Sequence, residues 1–194
     1  MFLARDQAEG DAVHRSRGSF CDGLANMDVA ALLLELYGRI PPLAREAVAG
    51  LDQDQLTRPP QPGANTIGWL VWHLARVQDD HIAEILETSQ IWTDGEWAGR
   101  FGLEPDPANT GYGHSSAEVA AVRPEGPDAL MQYLDAVDQR TRSVLEQLRP
   151  ADLDRIVDRR WDPPVTLGVR LISIADDGLQ HAGQAAYVRG LLGV

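Results

Sequence analysis

Two polar residues near the C-terminus, Asp177 and His181, interrupt an otherwise apolar helical stripe. Residues four apart lie on the same helix face, one turn from each other. An unpaired carboxylate buried in such a face is costly, so Asp177 needs a cation, and a metal ion shared with His181 would supply it. A structural hydrogen bond between the two is the alternative. The apolar members of the stripe are Leu167, Leu171, Ile174, Ala185, Val188 and Leu192.

A second long apolar segment, residues 67–86, carries His73 and His81 where helical periodicity predicts apolar side chains. His73 is the third candidate ligand. Two imidazoles and one carboxylate suit Zn²⁺, Ni²⁺ or Fe²⁺, with Zn²⁺ the first choice, and leave an open coordination position, as catalytic metals require. The residues predict a divalent metal site at His73, Asp177 and His181.

Other polar residues follow these ligands along the same helices. Asp80 and His81 lie two turns beyond His73, and Gln184 lies about one turn beyond His181. We expect all three to orient a ligand or contact substrate, rather than bind the metal directly. Asp80 is also a candidate general base.

Four residues are candidates for binding substrate, namely Arg76, Trp97, Tyr112 and Arg189. The two arginines could hold an anionic substrate, although ion pairing is the commoner role of a helical arginine. Trp97 and Tyr112 belong to the aperiodic, aromatic-containing segment 87–114, which either covers a substrate or plugs the end of the helices. His114, in the same segment, is expected at the surface.

The remaining pattern predicts the elements that position these residues. Four long amphipathic segments joined by turns, with one long cross-connection between the second and third, indicate an all-α helix bundle. Pro41 and Pro42 interrupt the first helix. The other expected boundaries are helix starts at Asp28, Thr66, Asp128 and Thr166, a short helix with a capping box from Ser115, and one strand at most within Val157–Val165.

Composition limits the classes of function. Seventeen basic and 29 acidic residues give 17 − 29 = −12, which disfavours nucleic acid and anionic membranes as partners. The single cysteine, Cys21, excludes an intrachain disulfide, and no apolar run is long enough to span a membrane. We expect a cytoplasmic protein with a flexible extension over residues 1–26 and one bundle domain over residues 27–194.

Two segments carry a resemblance to a known family. Asn65-Thr-Ile-Gly-Trp-Leu-Val-Trp-His-Leu-Ala-Arg-Val-Gln-Asp-Asp-His81 and Asp177-Gly-Leu-Gln-His-Ala-Gly-Gln184 resemble the DinB-like superfamily, in the branch near mycothiol-dependent maleylpyruvate isomerases and mycothiol S-transferases. The resemblance covers about residues 27–194. It implies an up-and-down four-helix bundle, often dimeric, with a divalent metal at one end. The common pattern has three histidines, whereas this chain has Asp177 at one of those positions.

The resemblance implies a function as well as a fold. Related proteins join mycothiol, bacillithiol or a similar thiol to electrophiles, with the metal activating the thiolate. The expected function is therefore metal-dependent transfer of a low-molecular-weight thiol, most readily mycothiol, to a small molecule. Isomerase activity is not expected, because the isomerases carry a second domain after the bundle. The alternatives are a non-catalytic, stress-related metal-binding bundle and a metal-dependent hydrolase.

Overall fold

The computed structural model describes residues 27–194, so the predicted flexible extension over residues 1–26 lies outside the described residues. The chain is mostly helical, as expected. Its helices are α1 (Val29–Tyr37), α2 (Ile40–Val48), α3 (Gln53–Thr57), α4 (Ile67–Leu86), α5 (Trp97–Arg100), α6 (Ser116–Ala121), α7 (Pro127–Leu145) and α8 (Leu167–Leu192). Short 3₁₀ turns occupy Ile91–Thr93 and Pro150–Asp154, and two short strands are β1 (Ile156–Asp158) and β2 (Val165–Thr166).

The bundle is formed by α2, α4, α7 and α8, with α1 continuing the first of these segments. Both α4 and α2 pack against α8 on one side and α7 on the other, so the order around the bundle is α2, α8, α4, α7. The most extensive helix pair is α4 with α8. The two segments that carry the candidate ligands are therefore neighbours, even though about a hundred residues separate His73 from His181 in the sequence.

The predicted helix starts agree with the structure at three of the four long segments. Side chains of Asp28, Thr66 and Thr166 accept hydrogen bonds from the backbone N–H three residues later, as N-caps do. The expected start at Asp128 is wrong. The third long helix begins at Pro127, because proline's fixed φ suits the first helical position, and Asp128 lies in the first turn where its charge favours the helix dipole.

The prolines divide the first segment in two, as predicted. α1 ends at Tyr37 and α2 begins at Ile40, with the prolines in its first turn, where their missing N–H groups cost little. The Tyr37 hydroxyl, itself buried, donates to the Leu171 carbonyl of α8 at 2.7 Å. That bond ties the interrupted segment to the helix carrying two of the candidate ligands.

The centre of the α8 stripe differs from the expectation. Gly178 and Ala182 occupy the fully buried positions, and Asp177 and His181 lie beside them, half-buried. A Cβ at position 178 would lie 2.8 Å from Ile40 Cδ1, so this glycine lets α2 approach α8 closely. Gly178 and Ala182 therefore lie on the core side of α8, and Asp177 and His181 lie at the edge of the α4–α8 contact.

The segment before α8 contains two strands rather than one at most. β1 and β2 form an antiparallel hairpin, with Ile156 opposite Thr166 and Asp158 opposite Val165. The buried carboxylate of Asp158 connects this hairpin to α8. It accepts bonds from the Arg160 side chain (2.8 and 2.9 Å) and from Arg170 Nη2 of α8 (2.7 Å), so ion pairs hold the hairpin on the bundle.

The long cross-connection is anchored to the bundle by buried groups. The carboxylate of Asp79 on α4 accepts the backbone N–H groups of Ile91 and Trp92, at 3.0 and 2.8 Å. Trp92 and Phe101 are fully buried and pack edge-on against each other. For these two rings the structure supports the plug interpretation, whereas Tyr112 is 94% exposed. No helix among residues 27–194 is long and apolar enough to cross a membrane.

The Asp158 ion pairs predict a pH-dependent contribution to stability. Hydrogen bonds from the side chain and backbone of Arg160 hold the pKa of Asp158 well below its usual range, and the charge of Arg170 lowers it further. Because the folded-state pKa is lower than the unfolded one, this contribution is complete above about pH 4 and is lost as pH falls below it. Asp158→Asn should therefore be less stable than the wild type near neutral pH, with the difference narrowing on acidification.

Urea unfolding between pH 7 and pH 3 measures this difference. Asp154→Asn is the matched control, because Asp154 is exposed and precedes the same hairpin. A constant difference between wild type and Asp158→Asn across the range, or an equal response in Asp154→Asn, would contradict the assignment.

Candidate metal centre

The three predicted ligands converge at the seam between α4 and α8. One nitrogen from each of His73 and His181 and one oxygen of Asp177 lie within 4.8 Å of one another. Asp177 Oδ1 is 3.4 Å from His181 Nε2 and 4.0 Å from His73 Nε2. Atoms bound to one tetrahedral ion at 2.0–2.2 Å lie about 3.4 Å apart. Small side-chain movements would bring all three into coordinating geometry.

A hydrogen bond at Nδ1 orients each of the two imidazole rings. His73 Nδ1 lies 2.5 Å from the Thr110 carbonyl, and His181 Nδ1 lies 2.8 Å from the Gln184 side-chain oxygen. With Nδ1–H donating to those oxygens, each Nε2 presents its lone pair towards Asp177. Metal-binding histidines are typically held in this way, by an acceptor on the far nitrogen. Of the two roles expected for Gln184, orienting a ligand or contacting substrate, this contact favours the first.

The carboxylate of Asp177 is only partly satisfied by the surrounding residues. Its Oδ2 atom is buried and makes no hydrogen bond within residues 27–194. Burial alone would lower the pKa of His181, but the hydrogen bond and charge of Asp177, with the Gln184 bond, raise it overall. Burial lowers the pKa of His73, against opposing effects of the Thr110 bond and Asp177. A divalent ion would satisfy the free oxygen and both lone pairs, so the residues suit such an ion.

Aromatic rings form the wall behind His73. Trp69 stacks on the His73 ring at 4.6 Å, nearly parallel to it. Trp69 Nε1 donates to His114 Nδ1 at 3.1 Å, and the His114 ring stacks on Trp72 at 5.7 Å. The expectation that His114 is only a surface residue is therefore wrong, because it is half-buried and holds the ring that packs on a candidate ligand. Single histidines in loops give no sequence signal of this role.

A glycine allows the loop to reach the ligand. Gly111 has a φ of +94°, and a Cβ there would lie 2.7 Å from His73 Nδ1 and 2.9 Å from the Trp72 ring. A side chain at this position would clash with His73 and could not adopt the backbone conformation without strain. Thr110 and Gly111 were not among the sequence candidates, although a glycine pair flanking Tyr112 was the available signal.

Two of the three candidate ligands, His73 and Asp177, line one end of a cavity of about 560 Å³. From α4 and α8 the cavity is also bounded by Val77, Asp80, His81, Arg170 and Ser173. Thr110 and Tyr112 of the long loop and Asp158, Arg160 and Trp161 of the hairpin complete its lining. The hairpin residues were not among the sequence candidates, because they precede α8 in an aperiodic segment.

Asp80 and His81 lie in the cavity but outside the ligand cluster. Asp80 accepts a bond from Gln90 at 2.7 Å, and burial raises its pKa. His81 lies 3.2 Å from Arg170 Nη1 and 3.6 Å from Asp80, and burial, with the charge of Arg170, lowers its pKa. Both can contact a bound molecule.

Three of the four substrate-binding candidates lie outside the cavity lining. Arg76 is fully buried, and its N–H groups donate to protein acceptors, including Asn109 O at 3.1 Å and the Gln90 side chain at 2.8 Å. Arg189 donates to backbone carbonyls at the end of α2 and lies outside the cavity lining. Trp97 packs on Tyr133 and Arg100, also outside the lining. Tyr112 lines the cavity.

A helix bundle with a candidate metal centre on two neighbouring helices is the class of protein that this geometry defines. The DinB superfamily model matches residues 37–185, so the chain belongs to the DinB superfamily. The crystal structure of a conserved protein from Enterococcus faecalis is similar to this chain, with 32% sequence identity and a TM-score of 0.79. That alignment covers 87% of this chain and 99% of the other. No match was found among curated proteins.

The ligand cluster predicts a specific loss of metal binding. Chain loaded with Zn²⁺ should retain about one ion after gel filtration, and His181→Ala should lower the affinity by more than about 100-fold, since even an orienting partner is worth 10–100-fold. His81→Ala, which removes a neighbouring imidazole outside the cluster, should retain the ion. Elemental analysis measures both, and equal metal content in the two variants would refute the assignment.

The Gly111 contact predicts that two nearby glycines respond differently. Alanine at either Gly111 or Gly113 forces a side chain into positive φ, at about 1–2 kcal/mol. Gly113 has open space around its Cβ direction, whereas Gly111→Ala should cost roughly 1–3 kcal/mol more through its clash with His73 and Trp72.

Only Gly111→Ala should also weaken Zn²⁺ binding, by about 10-fold or more, because His73 loses its orienting carbonyl. Thermal unfolding and Zn²⁺ titration of the two variants provide the comparison. Indistinguishable variants would show that the loop does not position the ligand.

Proposed function

We propose that this protein is a divalent-metal-dependent S-transferase that joins a low-molecular-weight thiol, such as mycothiol, to an electrophile. The observation that carries the proposal is the convergence of His73, Asp177 and His181 beside an accessible cavity that His73 and Asp177 line. Membership of the DinB superfamily is compatible with metal-dependent chemistry. The thiol and the transfer reaction come from the resemblance of the two ligand-bearing segments to mycothiol-dependent enzymes.

The donor set suits Zn²⁺ best. Two neutral imidazoles and one carboxylate match catalytic zinc sites, which have three protein ligands and keep a further position for substrate. When bound, such an ion would lower the pKa of a coordinated thiol and so supply a nucleophilic thiolate. Thr110 and Gln184 hold the two rings in position for this role, and Asp177 offsets part of the ion's charge.

The cavity would hold the second substrate beside the ligands. Val77, Tyr112 and Trp161 offer apolar surface to the body of an electrophile, and Trp69 and His114 close the wall behind His73. In the transfer, sulfur forms the new bond to carbon while the leaving group departs with its electron pair. The thiol proton is released to solvent through the mouth of the cavity.

Metal-dependent hydrolysis is the second candidate, and one observation favours it. Asp80 faces the same cavity, and burial raises the pKa of its carboxylate, which makes it a stronger base than an exposed aspartate. The hydrolase should act on its substrate without added thiol, whereas the transferase requires one. A purely metal-storing bundle would need to satisfy its ion fully, which the opening of the cavity beside the ligands does not favour.

A cobalt-substituted protein tests the proposed function. Adding a small thiol, with mycothiol as the first choice and cysteine as a comparison, should produce a thiolate-to-cobalt absorption band and accelerate conjugation of the thiol to a chromogenic electrophile. His181→Ala should lose the band and the rate together, since both need the same ion. Thiol-independent turnover would support the hydrolase instead, and a bound ion that never accepts thiol would exclude the transferase.

A further inference from the structure

We propose that the cavity contains a second polar subsite, at the β1–β2 hairpin, that binds the carboxylate end of an elongated substrate. The inference deepens the proposed function and rests on it only for the chemistry at the other end. The subsite consists of Arg160 and Arg170, which line the same cavity as the candidate metal ligands His73 and Asp177.

The helices set the distance between the two ends of the cavity. On α8, Asp177, Ser173 and Arg170 line it at successive turns, and on α4 His73, Val77 and His81 do the same. The seven residues from Arg170 to Asp177 span about 10 Å at 1.5 Å per residue. A substrate with its reacting atom at the ligand cluster must therefore extend along the α4–α8 groove to reach the arginines.

The hairpin supplies the donors at the far end. Arg160 and Arg170 share the buried carboxylate of Asp158, and Arg160 Nη2 also donates to Glu84 at 3.0 Å. Arg160 Nη1 makes no hydrogen bond within the described part of the chain, and the Arg160 side chain is 71% exposed. Its guanidinium is thus fixed on one side by protein acceptors and offers its remaining N–H groups to the cavity. Guanidinium groups bind carboxylates through paired, charge-assisted hydrogen bonds.

The surrounding acids limit the charge that this subsite accepts. Asp158 and Asp80 line the cavity, and Glu84 contacts Arg160 from its exposed side. Two guanidinium groups face three nearby acids, so a dianion such as phosphate would meet more repulsion than a carboxylate. We therefore assign the subsite to a singly charged acid.

Between the two ends the cavity favours an apolar body. Val77 lies midway along the α4 side, and Tyr112 and Trp161 are 94% and 66% exposed where they line the cavity. Exposed rings of this kind provide surface for an alkyl or aromatic chain. The expected substrate is an elongated apolar molecule with a reacting group at one end and a carboxylate at the other.

Two thiols that differ only in their far end test the subsite, namely 8-mercaptooctanoate and 8-mercaptooctanol. Calorimetric titration of the chain as purified should show the acid binding about 10-fold more tightly than the alcohol, as one charge-assisted contact would give. Arg160→Gln should abolish this preference. Arg159→Gln, which removes the same charge from the adjacent exposed residue outside the cavity lining, should keep it.

Each outcome decides the inference. Equal affinities for acid and alcohol, no measurable binding of the acid, or the same loss of preference in Arg159→Gln as in Arg160→Gln would overturn the subsite. Circular dichroism of both variants checks that their helix content is unchanged. With cobalt bound, a preference for the acid without a thiolate band would retain the subsite and reject the S-transferase, whereas a band without preference would do the reverse.

Discussion

The close contact between α4 and α8 is the constraint on which the candidate site depends. His73 comes from one helix and Asp177 and His181 from the other, so any change in the spacing of the two helices separates the ligands. Two further contacts hold α8 in place. α2 approaches it closely at Gly178, and Tyr37 at the end of α1 donates a hydrogen bond to it. The geometry of the candidate metal centre thus depends on buried packing several residues away from its own atoms.

The polar pair on α8 shows how candidate metal ligands can lie at the edge of a packed core. Gly178 and Ala182 complete the apolar surface, and the neighbouring positions carry Asp177 and His181 at the edge of that surface. There the acid keeps one oxygen close to both imidazoles, while the other is buried and without a partner among residues 27–194. An ion at this edge would gain the attraction of a poorly solvated carboxylate and remain within reach of a substrate.

Much of this arrangement could be predicted from the sequence. Helical periodicity predicted the long segments, and the capping residues predicted most of their starts. Two histidines and one aspartate in place of apolar residues indicated the three candidate ligands. Periodicity carries no information about which helices become neighbours, so the pairing of α2 and α4 with α7 and α8 emerged only from the structure. Contacts made by aperiodic segments were equally hidden, including those of Gly111, His114 and the hairpin arginines.

Two of the substrate-binding candidates lie outside the cavity for a common physical reason. Arg76 and Arg189 are cations on helices near possible substrate positions, and sequence alone cannot distinguish a guanidinium that faces a ligand from one that satisfies backbone carbonyls. The structure shows both engaged with carbonyl groups at the ends of other segments. The sequence contains no lysine, so arginine supplies its strongly basic side chains. An arginine that donates to backbone carbonyls, as these two do, is not available to bind a ligand.

The buried guanidinium of Arg76 has a consequence for how the site recognises its ligands. It donates to carbonyls of Pro107 and Asn109 and lies over the Trp92 ring, so the stretch leading to Thr110 is fastened to α4 within three residues of His73. A segment already fixed in this way loses little conformational entropy when a ligand arrives. Selectivity among ligands should then arise from the shape of a preformed cavity. Insertions in this segment should change which molecules fit into the cavity rather than the rate of a loop movement.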